Sequence, residues 1–328
     1  MIEILSPGIM ASVQDLGREG FRAIGVGQSG AMDPVALQVG NLLVGNAPDL
    51  AGIEFTLGGF SLRFESDTTF ALTGAHVGTT LDGSAVPPWW VRRARAGQVL
   101  SGAMAAQGMR CMLCVAGGID VAAVMGARAT DLKGGFGGHE GRLLAKGDRL
   151  AIGASEAPPV PEAGFGLDPR RLDLLPPRDE TVLRFLPAAE WDTGPQTIRD
   201  GFLGTTWTLL PASNRMGCQL GGPDLRRDTP LELHSHAIVP GTIQLPPGGQ
   251  PVIQLNDANT CGGYPKLGVV IAADLPKLAQ TRLGGSIRFA LTDHATALAA
   301  SRDRQARLDW LPGRIALARE YAGRFKAS

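Results

Sequence analysis

The chain carries no excess of either charge: among its 328 residues, 31 lysines and arginines balance 31 aspartates and glutamates. It therefore has no overall field to gather nucleic acid or an anionic membrane. Aromatic residues are scarce, at 5%. No window approaches the about eighteen uninterrupted apolar residues that a membrane span needs. Glu3, Asp15 and Glu19 interrupt the N-terminal stretch, so no secretory leader is expected. The four cysteines, Cys111, Cys114, Cys218 and Cys261, lack the second close pair that a zinc knuckle requires. They read as reduced residues of a cytoplasmic protein, with Cys111 and Cys114 on opposite faces of one strand.

Glycine and proline, by contrast, are abundant, at 45 and 23 residues. With few helical patterns, this composition predicts many short strands joined by turns. The length suggests two domains. Strands are expected at residues 52–57, 60–65, 68–73, 77–81, 90–93, 98–101, 110–116 and 149–152, preceded by a strand–turn–strand over residues 1–13. Asp33-Pro34 predicts a helix start and Gly45-Asn46 its stop. The proline-rich segment 154–178 reads as a linker between a first β domain, 1–153, and a second, 179–292. Within the second, 190–202 reads as helical, with strands at 181–185, 231–234 and 241–245. Residues 293–328 form a helical tail, with helices expected at 295–308 and 312–325.

The most informative stretch runs from Val252 to Phe289. Strand Val252–Leu255 ends in the polar string Asn256-Asp257-Ala258-Asn259-Thr260-Cys261, then Gly262-Gly263, assigned here to positive φ. Tyr264-Pro265-Lys266 leads into a second buried run, and Asp274 reads as the N-cap of a helix over 275–280. A carboxylate, amides, a hydroxyl and a lysine thus lie on a loop held at both ends, where functional groups concentrate. A similar order occurs near the N-terminus: Gln14-Asp15, then Gly20–Val26, then a capped helix from Asp33. If this is a true repeat, the chain has two similar halves whose polar loops share a cleft.

Three arginines are placed to meet an anion. Arg18 follows Gln14-Asp15, and Arg215 lies in the turn Ser213–Leu220. Arg142 closes the glycine-rich run 134–142, whose amides can cradle a phosphate or carboxylate. No P-loop or strand–GxGxxG–helix unit is present. His234 and His236 alternate onto one strand face, but no acidic partner lies near in sequence, and no metal is expected.

The strings VQDLGREG, SGAMDPVALQVGNLLVGN, ALTGA, VAGGID, GRLLAKGD, SNRMG, GTIQLPPGGQP and DANTCGGYPKLG, in this order, resemble the family of 5-oxoprolinase C subunits. This is also the biotin-dependent carboxyltransferase, allophanate hydrolase subunit 2 or Kip-type antagonist family. The resemblance covers about residues 2–292. It implies a mainly β chain of two cyclophilin-like β-barrel domains, with a few short helices and the helical tail. It also implies work with partner chains, usually the Kip-inhibitor-like B subunit and often also the A subunit of 5-oxoprolinase, opening 5-oxoproline to glutamate with ATP. Two alternatives stay open: carboxyl transfer from carboxybiotin to urea or a similar amide, and a non-catalytic regulator that binds a kinase inhibitor. No Met-Lys-Met string is present, so no covalent biotin is expected on this chain. Asn259, Cys261 and Gln219 depart from the family pattern.

For lactam opening, Asp15, Asp257 and Lys266 are the candidate catalytic groups, as base, N–H acceptor or charge partner. Arg18, Arg142 and Arg215 are candidate anion contacts. Gln14, Thr260, Gly262, Gly263 and Tyr264 are candidate substrate contacts.

Overall fold

The computed structural model describes residues 1–157, 160–172, 174, 179–227, 229, 231 and 233–324. It is mainly β, and the chain divides into two compact units. Unit 1 comprises Met1–Arg18, Ser29–Pro176 and Gln305–Ser328; unit 2 comprises Glu19–Gln28 and Pro177–Arg304.

Unit 1 holds two six-stranded sheets. In one, the strand order is Arg149–Leu150, Ile2–Ser6, Gly58–Phe64, Val99–Met104, Thr79–Leu81, Ser84–Val86. In the other it is Phe165–Gly166, Trp90–Ala94, Thr68–His76, Gln107–Val115, Gly52–Thr56, Met10–Gln14. Alternation along these strands drives one set of apolar side chains, including Ile4, Val13, Ile53, Phe55, Phe64, Phe70 and Leu113, into a shared core. Each such side chain contributes about 1.5–3 kcal/mol on leaving water. The opposite set from the second sheet, including Ala71, Val91, Met112 and Cys114, packs with Leu37 and Leu43 of the helix Pro34–Val44. Cys111 and Cys114 thus enter different cores, as the alternation predicts. Asp33 caps this helix by accepting from the Ala36 N–H at 3.0 Å, and Gly45 ends it at φ 91°. Gly40 sits inside the helix because a Cβ there would lie 2.7 Å from Cys114 Sγ.

Unit 2 is a closed seven-stranded barrel. Its strands run Glu180–Pro187, Lys266–Val270, Thr242–Gln244, Val252–Gln254, Gly217–Gly221, Trp207–Leu209 and Ser286–Leu291. Parallel pairing of Ser286–Leu291 with Glu180–Pro187 closes the ring. Leu183, Phe185, Leu209, Leu220, Ile243, Ile253 and Ile287 are fully buried. Phe185 also meets Trp191 and Phe202 edge-on, at 5.2 and 5.6 Å between centroids. These rings anchor two short helices, Ala189–Thr193 and Gln196–Gly204.

Several details differ from the sequence expectation. The helix expected at 190–202 is two helices, parted by Gly194 and by Pro195 at the second N-cap. The two helices expected in the tail are one, His294–Arg324. Pro312 lies on its exposed side. Of the strand expected at 231–234, residue 232 lies outside the described residues; the strand found is His236–Ala237, paired with Cys261–Gly262. The proposed repeat diverges locally: Arg22–Ile24 is a 3₁₀ turn, whereas its counterpart, residues 265–267, leads into the barrel strand Lys266–Val270. Asp274 occupies an N-cap position but its side chain makes no capping bond. Its carboxylate is taken by Arg184, at 2.7–2.9 Å, and by Lys277 at 3.0 Å.

Candidate functional site

In unit 2 the register of two strands assembles the first part of the site. Gly217 pairs with Gln254, so the residues just before Gly217 face those just after Gln254. Leu255 N–H bonds to Met216 O at 2.9 Å and Asp257 N–H to Arg215 O at 3.2 Å. The side chains then close a two-pronged pair. Arg215 Nε donates to Asp257 Oδ2 at 2.8 Å, and Nη2 to Oδ1 at 3.1 Å. Arg215 is 3% exposed and Asp257 4%. Two residues proposed separately as anion contact and base are therefore partners. Taking one away would leave the other charged and buried, a loss of about 3–5 kcal/mol.

Lys266, 5% exposed, is the Cα partner of Gln244 beside a β-bulge. Its Nζ lies 3.0 Å from Gly262 O, 3.5 Å from Tyr264 O and 3.2 Å from His236 Nδ1. Burial pushes this amine below the ordinary lysine value, and the Glu190 charge pulls it partly back. Glu190 also accepts from the Lys266 N–H at 3.3 Å and lies 3.8 Å from His236 Nε2. The same Nδ1 lies 3.1 Å from His234 O, so the His236 ring stands between the Lys266 amine and Glu190.

Gly262 and Gly263 do not have positive φ. They are needed for space instead. A Cβ on Gly262 would lie 2.6 Å from Gln244 Nε2, and one on Gly263 would lie 2.8 Å from Leu233 O. Thr260 offers its carbonyl to Ile238 N–H at 3.0 Å, while Tyr264 is 49% exposed and Cys261 is also exposed.

In unit 1, Gln14 is fully buried. Its Nε2 donates to Ser12 Oγ at 2.9 Å and to Thr130 O at 3.3 Å. Among the described residues its Oε1 has no hydrogen-bond partner. Asp15 accepts from the N–H of Gly17 at 2.8 Å and from the N–H of Arg128, the usual work of an aspartate in a tight turn. Arg18, 2% exposed, donates to Ala129 O at 2.6 Å, lies 4.0 Å from Asp131 and stacks over Phe136 at 4.8 Å. It anchors the glycine-rich run from within. Arg142 holds Asp148 at 2.7 and 3.0 Å and Glu140 at 2.8 and 3.1 Å. Its fork is filled by the chain's own carboxylates, so it acts as a strut rather than an open anion clamp. Arg142, followed by the Ala145 N–H, draws the Asp148 carboxyl down to about 2. A surface cavity of about 440 Å³ in this unit is lined by Leu81, Arg92, Arg93, Arg95, Gln98, Val160 and Glu162, none of them a candidate residue.

Glu190, His236, Gln244 and Gln254 escape the sequence reading as site residues. Glu190 lies 76 positions from Lys266, and nothing local marks it. The glutamines had a signal: each ends a short strand, the two strands joined by the seven residues 245–251. Among the described residues no cluster of three His, Cys, Asp or Glu is placed to hold a metal, and no helix is long and apolar enough to cross a membrane.

Comparison with known proteins adds a family. Residues 24–291 match the carboxyltransferase domain, subdomains A and B. The chain is 43% identical to the C subunit of the Escherichia coli K12 5-oxoprolinase, over 96% of this chain and 99% of that protein. It is 41% identical to the corresponding C subunit of Haemophilus influenzae, over 94% and 97% respectively. In structure it resembles part of the K. lactis urea amidolyase, with a TM-score of 0.84 and 29% identity over 94% of this chain. It spans only 20% of that larger protein.

Proposed function

Since the chain belongs to the carboxyltransferase-domain family of subdomains A and B, we propose that it is the C subunit of a 5-oxoprolinase. Its proposed partners are the Kip-inhibitor-like B subunit and the A subunit of that enzyme. With them it opens 5-oxoproline to glutamate as ATP is hydrolysed. One observation carries this reading: 43% identity with a 5-oxoprolinase C subunit, over 99% of that protein. The urea amidolyase likeness is weaker in sequence, at 29%, and supports the shared fold more than a shared substrate.

In this reading unit 2 holds the lactam. The buried Arg215–Asp257 pair fixes the start of the loop that carries Gly262–Tyr264. A rigid loop loses little freedom on binding, and donors set in advance act on developing charge without reorganising. Lys266 supplies a cation beside Gly262 and Tyr264. Burial loosens its hold on a proton, and His236 and Glu190 lie beside it. ATP enters as a co-substrate of the whole complex, and the chain needs no covalent biotin.

The test is glutamate formation by this chain reassembled with the partner subunits, with 5-oxoproline and ATP, each omitted in turn. Release that needs both compounds and this chain supports the reading. An assembled complex that instead consumes urea and carboxybiotin would replace it with the carboxyl-transfer reading.

A further inference from the structure

Gln244 is 4% exposed, and its amide cannot turn at will. Gln254 Nε2 donates to Gln244 Oε1 at 2.9 Å, which fixes the Oε1 side toward Gln254 and leaves the Nε2 side elsewhere. Among the described residues that Nε2 has no hydrogen-bond partner. It is directed at Gly262, where an added Cβ would lie only 2.6 Å from it. A buried amide N–H₂ without an acceptor is costly, so its retention beside a bare glycine calls for an acceptor from outside the fold. The neighbouring cation does not compete for that role. An ammonium has three N–H bonds, and Lys266 Nζ already meets Gly262 O, Tyr264 O and His236 Nδ1. The donor left over at this turn is the neutral one.

We propose that Gln244 recognises the carbonyl oxygen of the substrate: its Nε2–H donates to the oxygen of a small lactam or amide seated at the Gly262–Gly263 turn. A neutral donor suits a neutral carbonyl, because it does not draw in stray anions. It also strengthens its bond as negative charge gathers on that oxygen during ring opening. Gln254 is the positioning residue that keeps the donor side presented. The proposal takes only the identity of the amide, 5-oxoproline, from the function given above.

The experiment is calorimetric titration of the complex of this chain with its partner subunits. The ligands are 5-oxoproline, proline (the same ring and carboxylate without the carbonyl) and urea. Wild type is compared with Gln244→Leu and Gln254→Glu, each checked for an unchanged circular dichroism spectrum. Gln244→Leu is expected to cut the preference for 5-oxoproline over proline by about ten- to a hundredfold, the usual effect of deleting one directed donor. Gln254→Glu should cause a similar loss with Gln244 intact, because a carboxylate there attracts the N–H₂ side and turns Oε1 toward the ligand. A preference left unchanged, or an equal loss for both ring ligands, overturns the assignment. If wild type takes urea but not 5-oxoproline, and Gln244→Leu abolishes the urea binding, the carbonyl role stands and the substrate reading falls. If a folded complex binds neither amide, both fall.

Discussion

The two polar loops that look alike in sequence, Gln14–Arg18 and Asn256–Lys266, use their charges in opposite ways. In the first, the charged groups turn inward to the backbone. Asp15 serves two N–H groups and Arg18 serves Ala129 O, and what remains is a buried acceptor, Gln14 Oε1. In the second, charge meets charge, Arg215 with Asp257, and what remains beside the glycines is a buried donor, Gln244 Nε2. The same residue types thus make a staple in one unit and, in the reading proposed above, a site in the other. What separates them is how closely a carboxylate is met: Asp131 stays 4.0 Å from Arg18, whereas Asp257 meets Arg215 at 2.8 Å.

Substitutions sharpen this contrast, and the largest effect belongs to the buried pair. Asp257→Ala should lower stability by about 3–5 kcal/mol, because it leaves Arg215 charged and dry. Chemical denaturation measures this, and Arg215→Met combined with Asp257→Leu should recover much of the loss. Next comes Arg18→Met, at about 2–3 kcal/mol, from one charge-assisted bond to a carbonyl and the loss of its hold on Asp131. If unit 1 tolerated it without cost, Arg18 would not be the anchor described. Gly262→Ala should lower the melting temperature a little, because the new methyl would lie 2.6 Å from Gln244 Nε2 and the amide must give way, and should weaken 5-oxoproline binding by about tenfold, since that methyl covers the Gln244 donor. A variant that binds as wild type does would separate Gly262 from the site.

Arg142→Ala should have the smallest effect: about 1 kcal/mol at neutral pH after allowance for its part exposure, and no change in turnover. Its pH dependence has a definite sign. Asp148 is drawn from 3.8 down to about 2 in the folded chain. The stability it gains is present in full above the ordinary carboxyl value and is lost as pH falls through about 2. Wild type and Arg142→Ala should therefore converge in stability between about pH 4 and pH 2. A difference that persisted there would mean Arg142 acts through something other than Asp148.

Much of this architecture was legible in the chain because its signals are local. The helix Pro34–Val44 announces itself by Asp-Pro before and Gly-Asn after it. Most strand positions follow from alternation, and the two faces of Cys111 and Cys114 follow from a period of two. The candidate residues of the Asn256–Lys266 loop could be named, but their partners could not. That Asp257 belongs to Arg215 depends on the pairing of Gly217 with Gln254, and Glu190 reaches Lys266 through the pairing of Glu180–Pro187 with Lys266–Val270. Arg142 misled for a related reason: its carboxylates, Glu140 and Asp148, are near in sequence, but only folding turns them onto its fork. Pair formation in three dimensions decides which charge is a strut and which belongs to a site, and composition does not carry that information.

The most direct measurement is a crystal structure of the chain in its complex with 5-oxoproline bound. This account places the ring at the Gly262–Tyr264 backbone, with its carbonyl oxygen within hydrogen-bond reach of Gln244 Nε2 and the Arg215–Asp257 pair unbroken. A ring bound at Arg142, or elsewhere with Gln244 Nε2 still unpartnered, would contradict it.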